Sequence, residues 1–211
     1  MKRSLALLLL ALLLLPPLLG GCKKKDPYEG VENPTAEFIL STGGVMHFEL
    51  HLEAAPNTVA NFTYLANIGF YDGREFFRVV PGVLVQSGCP NDDGSGDCGY
   101  TIRGEFSNNG FDNYLSHVPG TLSMARLPGK EGYNSASSQF FIVQGDYPQF
   151  DGDYAAFGTA MDTDTYRALN SLANRAVDAN NVPLERVWIT SVRVDTHGVK
   201  LKDVVKIAGR Q

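Results

Sequence analysis

The run Phe76-Phe77-Arg78-Val79-Val80-Pro81-Gly82-Val83-Leu84-Val85-Gln86 leaves this chain few ways to fold locally. Pro and Gly supply turn dihedrals, and the Val, Phe and Leu positions favour a pleated, half-buried surface, so the run reads as strand, tight turn, strand. A single guanidinium and a single carboxamide interrupt it. An unpaired Arg among such neighbours is costly to bury, which puts Arg78 either at the mouth of an apolar site or in a structural ion pair with a carboxylate.

The flanking chain continues the β pattern. Residues 36–41 and 45–52 bracket Thr42-Gly43-Gly44, a hairpin signal, with Phe38, Leu40, Met46, Phe48, Leu50 and Leu52 on one core-facing side. On the other side His47, Glu49 and His51 recur at spacing two. That is either a metal constellation or the solvent face of a strand, and the solvent face is the ordinary expectation. Pro56 opens a helix with Val59, Phe62, Leu65, Ala66 and Gly69 as its apolar stripe. Strands are expected at 121–125, 139–143 and 155–160, a helix capped by Asp162 through about residue 177, and a closing strand at 186–196. The apolar phase of that last strand changes between Ile189 and Val192, which signals a bulge.

Between Ser87 and Phe106 the chain is rich in Gly, Asp and Asn and reads as a surface loop. Gly94, Gly96 and Gly99 satisfy G-x-G-x-x-G, but Tyr100-Thr101-Ile102-Arg103 continues as a strand where a dinucleotide site needs a helix. Asn91, Asp93, Ser95 and Gly96 resemble the start of a calcium loop, yet Ile102 stands where Glu is required. Cys89 and Cys98 bracket the loop. For an exported domain a disulfide between them is the preferred reading over two free thiols, and their spacing is not the C-x-x-C of redox catalysis. No metal or cofactor is expected. A hydrolytic site has no support either: there is no G-x-S-x-G, and no motif places a His near Ser137 or Ser138. Many short strands with only two helices suit a mainly β fold, a closed antiparallel barrel.

Five blocks sharpen this reading: Ala55-Pro56-Asn57-Thr58-Val59-Ala60-Asn61-Phe62, Gly120-Thr121-Leu122-Ser123-Met124-Ala125-Arg126, Asn134-Ser135-Ala136-Ser137-Ser138-Gln139-Phe140-Phe141-Ile142-Val143, Phe150-Asp151-Gly152 and Tyr154-Ala155-Ala156-Phe157-Gly158. In order, spacing and wording these blocks, with the Arg78–Gln86 stretch, resemble the cyclophilin family of peptidyl-prolyl isomerases, over roughly residues 36 to 194. The resemblance implies an eight-stranded barrel with a helix covering each end, and isomerisation of X-Pro bonds in proline-containing polypeptides. It assigns catalysis to Arg78, Gln86 and Phe141. It gives the proline pocket to Val83, Leu84, Phe150 and Tyr154 beside Phe141, and the peptide backbone to Gly94, Ala125, Arg126, Leu127 and Gln139. Three positions depart from the family. Val83 stands where an aromatic ring is usual, with Phe150 in place of a frequent Leu filling back some volume. Tyr154 replaces a His common in eukaryotic members, and Gln149 replaces the Trp that binds cyclosporin. Val83 is the feature that favours the alternative of a proline-segment-binding chaperone or scaffold with little turnover.

The N-terminus gives an address. Lys2 and Arg3 precede a run of only Leu and Ala from Leu5 to Leu15, then Pro16-Pro17. That run is shorter than the roughly 20 apolar residues a spanning helix needs, so it reads as a secretory signal. Leu19-Gly20-Gly21-Cys22 looks like a bacterial lipobox, which implies cleavage after residue 21 and lipidation of Cys22, with residues 22–35 as a tether and 36–211 as one domain. Lys23 after the lipidated Cys points to the outer membrane, facing the periplasm, if the envelope is Gram-negative. A lipid-anchored monomer in the cell envelope is the expectation. Without Lys2 and Arg3 the 16 basic residues face 23 acidic ones, a net charge of −7, which disfavours nucleic acid as a partner.

Overall fold

The computed structural model describes residues 28–208. The signal segment, Cys22 and its lysines lie outside the described residues. Along the chain come β1 (Thr35–Leu40), β2 (Val45–Leu50), α1 (Pro56–Asn67), β3 (Arg78–Val80), β4 (Leu84–Ser87), β5 (Tyr100–Thr101), β6 (Thr121–Met124), β7 (Phe140–Val143), β8 (Ala156–Ala160), α2 (Thr163–Ala173), β9 (Ile189–Asp195) and β10 (Ile207–Ala208).

Eight strands form one antiparallel sheet in the order β3-β4-β7-β6-β8-β2-β1-β9. The sheet curls until its edges meet, but the last seam is narrow. It consists of the bridge between Glu75 and Trp188, with Phe76 N–H donating to Val187 O at 2.9 Å, Gly73 N–H to Ile189 O at 2.7 Å and Ile189 N–H to Arg74 O at 2.9 Å. The barrel is therefore continuous along seven seams and pinned at the eighth, because β3 is three residues long and offers little edge. The 100–103 strand is shorter than expected: Tyr100 and Thr101 pair with β10, apart from the barrel, and Ile102 only bridges Ala136.

Period-2 patterning accounts for the core. Phe38, Leu40, Met46, Phe48 and Leu50 are buried on alternate positions of β1 and β2. Inside, Phe62 of α1 packs edge-on to Phe140 at 5.6 Å and stacks on Tyr71 at 5.1 Å. The expected bulge is present: Ile39 opposes Ser191 but Leu40 opposes Ile189, leaving Thr190 as the extra residue.

The helix termini are held differently. Asp162 caps α2 by accepting the Thr165 N–H at 2.7 Å. Ala55 has no capping side chain, and Glu105, nearly fully buried, reaches in from a loop to accept from Asn57 N–H, Thr58 N–H and Thr58 Oγ1–H at 2.7–3.1 Å. Burial pushes the Glu105 carboxyl up, against the pull of those donors. α2 stops at Ala173, short of residue 177, because Val177 bridges Pro183 in extended backbone.

One sequence expectation meets different geometry. Cys89 and Cys98 are free thiols, not the preferred disulfide. Their sulfurs are committed in different directions: Cys89 Sγ accepts the Gly96 N–H at 3.3 Å, while Cys98 Sγ lies 3.0 Å from Ser137 Oγ. The polar row of β2 is spent on separate partners. His47 Nδ1 meets Asp162 at 2.7 Å, Glu49 accepts from Asn33, and His51 Nε2 meets Thr159 Oγ1 at 2.8 Å. Among the described residues no three metal-ligating side chains converge.

Candidate active site

The sheet order places chemistry that the sequence scatters over some sixty positions in a single cross-strand row. Arg78 opposes Gln86, Gln86 opposes Phe141, and Phe141 opposes Ser123, so all four side chains share the outer face of the barrel. Gly82, at φ 76°, makes the turn that folds β3 onto β4 and brings the first pair together.

Arg78 is exposed, and no carboxylate among the described residues forms an ion pair with it. The ion-pair alternative is thereby set aside. Its Nη1–H donates to Gln86 Oε1 at 3.1 Å; Gln86 Nε2–H donates to Gln139 Oε1 at 3.0 Å; Gln139 Nε2–H donates to the carbonyls of Gly94 and Gly96 at 3.0 and 2.9 Å. Every amide in this relay points the same way. The loop carbonyls fix Gln139, Gln139 fixes Gln86, and Gln86 holds one guanidinium N–H while leaving the others unspent.

Beside the row lies an apolar cup separate from the main core. Leu84, Phe141 and Val143 are its buried base, with Val80, Val83, Ala125, Tyr147, Phe150 and Tyr154 partly buried around it. Phe141 meets Phe150 and Tyr154 edge-to-face at 5.9 and 5.5 Å, a preferred aromatic geometry. Tyr147, absent from the sequence reading, stacks on Phe150 at 5.3 Å and donates its hydroxyl to Gly82 O at 3.0 Å, tying the cup to the β3–β4 turn. Phe150 and Val83 thus pack on the same Leu84–Phe141–Val143 base, with Tyr147 stacked on Phe150.

A groove of about 350 Å³ continues from the cup, lined by Gln86, Gly94, Gly96, Ala125, Arg126, Leu127 and Gln139 among others. It gathers the residues expected to hold a peptide backbone. Arg126 enters it in an unexpected way: its side chain is only 7% exposed and turned inward. The guanidinium lies 4.6–5.5 Å from the rings of Tyr154, Tyr133 and Phe106 and donates to Asp153 O, Leu127 O and Gly129 O. What Arg126 offers the groove is its main chain. A larger groove, about 430 Å³ between α2 and the β1–β2 turn, has neither an aromatic cup nor an unspent cation, since Arg167 and Arg175 face Asp164 and Glu185.

Sequence reading also missed His117, Asp151 and Ser123, a group in which the His117 ring, packed against Phe141, bonds to Asp151 on one side and Ser123 on the other. Asp151 and Ser123 stand inside recognised blocks, but His117 belongs to none of them, and only the fold brings the three together.

The family model described as cyclophilin type peptidyl-prolyl cis-trans isomerase/CLD matches residues 36–194. Peptidyl-prolyl cis-trans isomerase B of Bacillus subtilis is 47% identical over 124 residues, 59% of this chain and 81% of that protein. A peptidyl-prolyl cis-trans isomerase of Synechococcus elongatus is 41% identical over 140 residues, 66% of this chain and 90% of that protein. Among solved structures, a cyclophilin-type isomerase of Cryptosporidium parvum, crystallised in the presence of the dipeptide Ala-Pro, is similar with a TM-score of 0.68 at 28% identity, covering 76% of this chain and 98% of that one.

Proposed function

The chain belongs to the cyclophilin-type peptidyl-prolyl cis-trans isomerases, and we propose that it exercises this activity on exported or envelope proteins while tethered to a membrane through Cys22. Rotation about a peptide bond faces a barrier of about 18–20 kcal/mol, because the nitrogen lone pair is delocalised into the carbonyl. No bond need break. The catalyst has only to bind the twisted amide better than either planar form.

In this reading the proline ring enters the cup over Phe141, bounded by Val83, Leu84, Phe150 and Tyr154, and the flanking peptide runs along Gly94, Ala125, Arg126, Leu127 and Gln139. The N–H and carbonyl of Arg126 have no backbone partner among the described residues, which suits pairing with an extended chain. As the amide twists, its nitrogen becomes pyramidal and regains a lone pair. Arg78, oriented through Gln86, donates an N–H to that lone pair, an interaction absent while the amide is planar. The observation that carries this assignment is the row Arg78–Gln86–Phe141, with a guanidinium unclaimed by any acid among the described residues.

The Ala-Pro present with the C. parvum neighbour supports X-Pro peptides as ligands. The lipobox Leu19-Gly20-Gly21-Cys22 supports export and anchoring, and several acyl chains would hold the domain stably, at about 0.8 kcal/mol per buried CH₂. Among the described residues no helix is long and apolar enough to cross a membrane.

Turnover of a proline tetrapeptide by the wild-type domain, with binding measured in parallel, tests the assignment. Binding without turnover would select the scaffold reading that Val83 favours. For the address, Cys22→Ser should release the protein from the membrane fraction and abolish acyl mass on the mature N-terminus; retention in the membrane would refute the anchor.

A further inference from the structure

His117 is 1% exposed and hydrogen-bonded at both ring nitrogens. Nδ1 lies 2.8 Å from Asp151 Oδ1, which also accepts the His117 backbone N–H at 2.8 Å, and Nε2 lies 2.9 Å from Ser123 Oγ. An ionised carboxylate only accepts, so the ring proton belongs on Nδ1, and Nε2 accepts from the Ser123 hydroxyl. Burial holds the imidazole's pKa below its ordinary value, outweighing the opposing pull of Asp151, in keeping with this neutral tautomer. The ring stacks on Phe141 at 6.1 Å with a 19° tilt, and meets Phe150 and Tyr154 edge-to-face at 5.8 and 6.4 Å.

Ser, His and Asp in this order suggest a nucleophile, and burial excludes it. Ser123 has no exposed surface and stands beside Phe141 on the adjacent strand, its hydroxyl taken up by the His117 ring and out of reach of any substrate carbonyl. What the three residues do is join the parts of the proline cup. Ser123 belongs to β6, Phe141 to β7, and Asp151 to the segment that carries Phe150 and Tyr154. Ring packing alone sets a distance but leaves tilt soft, whereas two directional hydrogen bonds on opposite ring nitrogens fix the plane against which the cup's rings lean.

We propose that His117 is a positioning residue for isomerisation: held by Asp151 and Ser123, its imidazole sets the Phe141 floor against the Phe150–Tyr154 wall and so determines how tightly the cup grips a proline ring. This rests on the cup being where proline binds.

The test measures kcat and KM for a proline tetrapeptide with His117→Phe, Asp151→Ala, the double variant and Phe141→Ala, alongside near-UV circular dichroism and thermal unfolding. His117→Phe keeps the stacked ring and removes both ties. Each single variant should raise KM about 3- to 10-fold, the equivalent of one net hydrogen bond, with kcat changed less than about 2-fold. The double variant should be no worse than the poorer single, since both cut the same tie. A purely structural role would lower the unfolding temperature and leave KM unchanged. Wild-type KM in either folded single variant, or effects that multiply in the double, overturns the inference. If His117→Phe does not fold, Asp151→Ala decides alone, because that carboxylate is 36% exposed and its removal takes no apolar group out of the core. Phe141→Ala separates the two levels. An unchanged KM there refutes the proline cup itself, whereas a raised KM there with His117→Phe unaffected refutes only the positioning role.

Discussion

Arg78 and Gln86 face each other across the β3–β4 ladder, and the bond between them, 3.1 Å from Nη1 to Oε1, is made to a neutral amide. An amide orients a guanidinium without cancelling its charge. A carboxylate in the same place would hold it more strongly and compete with the substrate nitrogen for its N–H groups.

Arg78→Ala should therefore lower kcat for proline tetrapeptides by about 100-fold or more, the cost of removing one preorganised transition-state donor, with little change in KM. Exchange NMR between cis and trans peptide at equilibrium measures this directly. A variant that retains wild-type kcat would remove Arg78 from the chemistry.

Val83 packs at the edge of the Leu84–Phe141–Val143 cluster. Val83→Phe should restore an aromatic wall and lower KM by about 2- to 10-fold, matching the 0.5–1.5 kcal/mol of an added aromatic contact. A rise in KM would mean that Tyr147 and Phe150 have already filled that space.

Glu105 serves three donors at the start of α1. Glu105→Ala leaves the Asn57 and Thr58 N–H groups without their acceptor and should cost about 1–3 kcal/mol in urea unfolding at pH 7. Glu105→Gln keeps an acceptor oxygen and drops a charge that burial penalises, so it should cost less than half as much. Equal losses would contradict the capping account.

His47 and His117 should titrate on opposite sides of the usual 6.5. Burial lowers His47, but its bonds to Asp162 and Glu37 outweigh that and raise it; burial lowers His117 outright. The contribution of His47 is present in full below pH 6.5 and is lost as pH rises through its higher folded value. His117 acts in the other sense: the unfolded chain takes up its proton first, so stability falls as pH drops below 6.5. Asp162 adds a further acid-side loss below about pH 3.8, since Thr165 donors and then His47 depress its carboxyl. Ring NMR titration together with urea midpoints from pH 4 to 8 checks the signs, and His47→Asn should flatten the upper limb only. Coincident ring midpoints would contradict both environments.

Gln149 is exposed at the rim next to Phe150, where many family members carry the Trp that binds cyclosporin. Inhibition by cyclosporin should be weak. An inhibition constant in the low nanomolar range would overturn this.

Local pattern was enough for a good deal. The alternation in 36–52, the Pro-Gly turn at 81–82, the Asp162 cap and the phase change near Thr190 each depend on neighbours within a few residues, and each reappears in the fold. The wording of the blocks carried the candidate site residues, and the sheet order β3-β4-β7-β6 then aligned Arg78, Gln86 and Phe141 in one row.

The sequence by itself determined where the chain turns, which face of each strand is apolar, and which side chains have chemistry to offer, because those properties repeat with the period of the backbone. The tertiary structure alone decided what those side chains spend their hydrogen bonds on. Ser123 and His117 are 6 residues apart while Asp151 is 34 beyond His117, and they meet only because β6 and β7 lie side by side. The same packing turns Cys89 and Cys98 to different partners and folds Arg126 inward among three rings. Contacts between distant segments follow from strand order and helix placement, which no local period encodes.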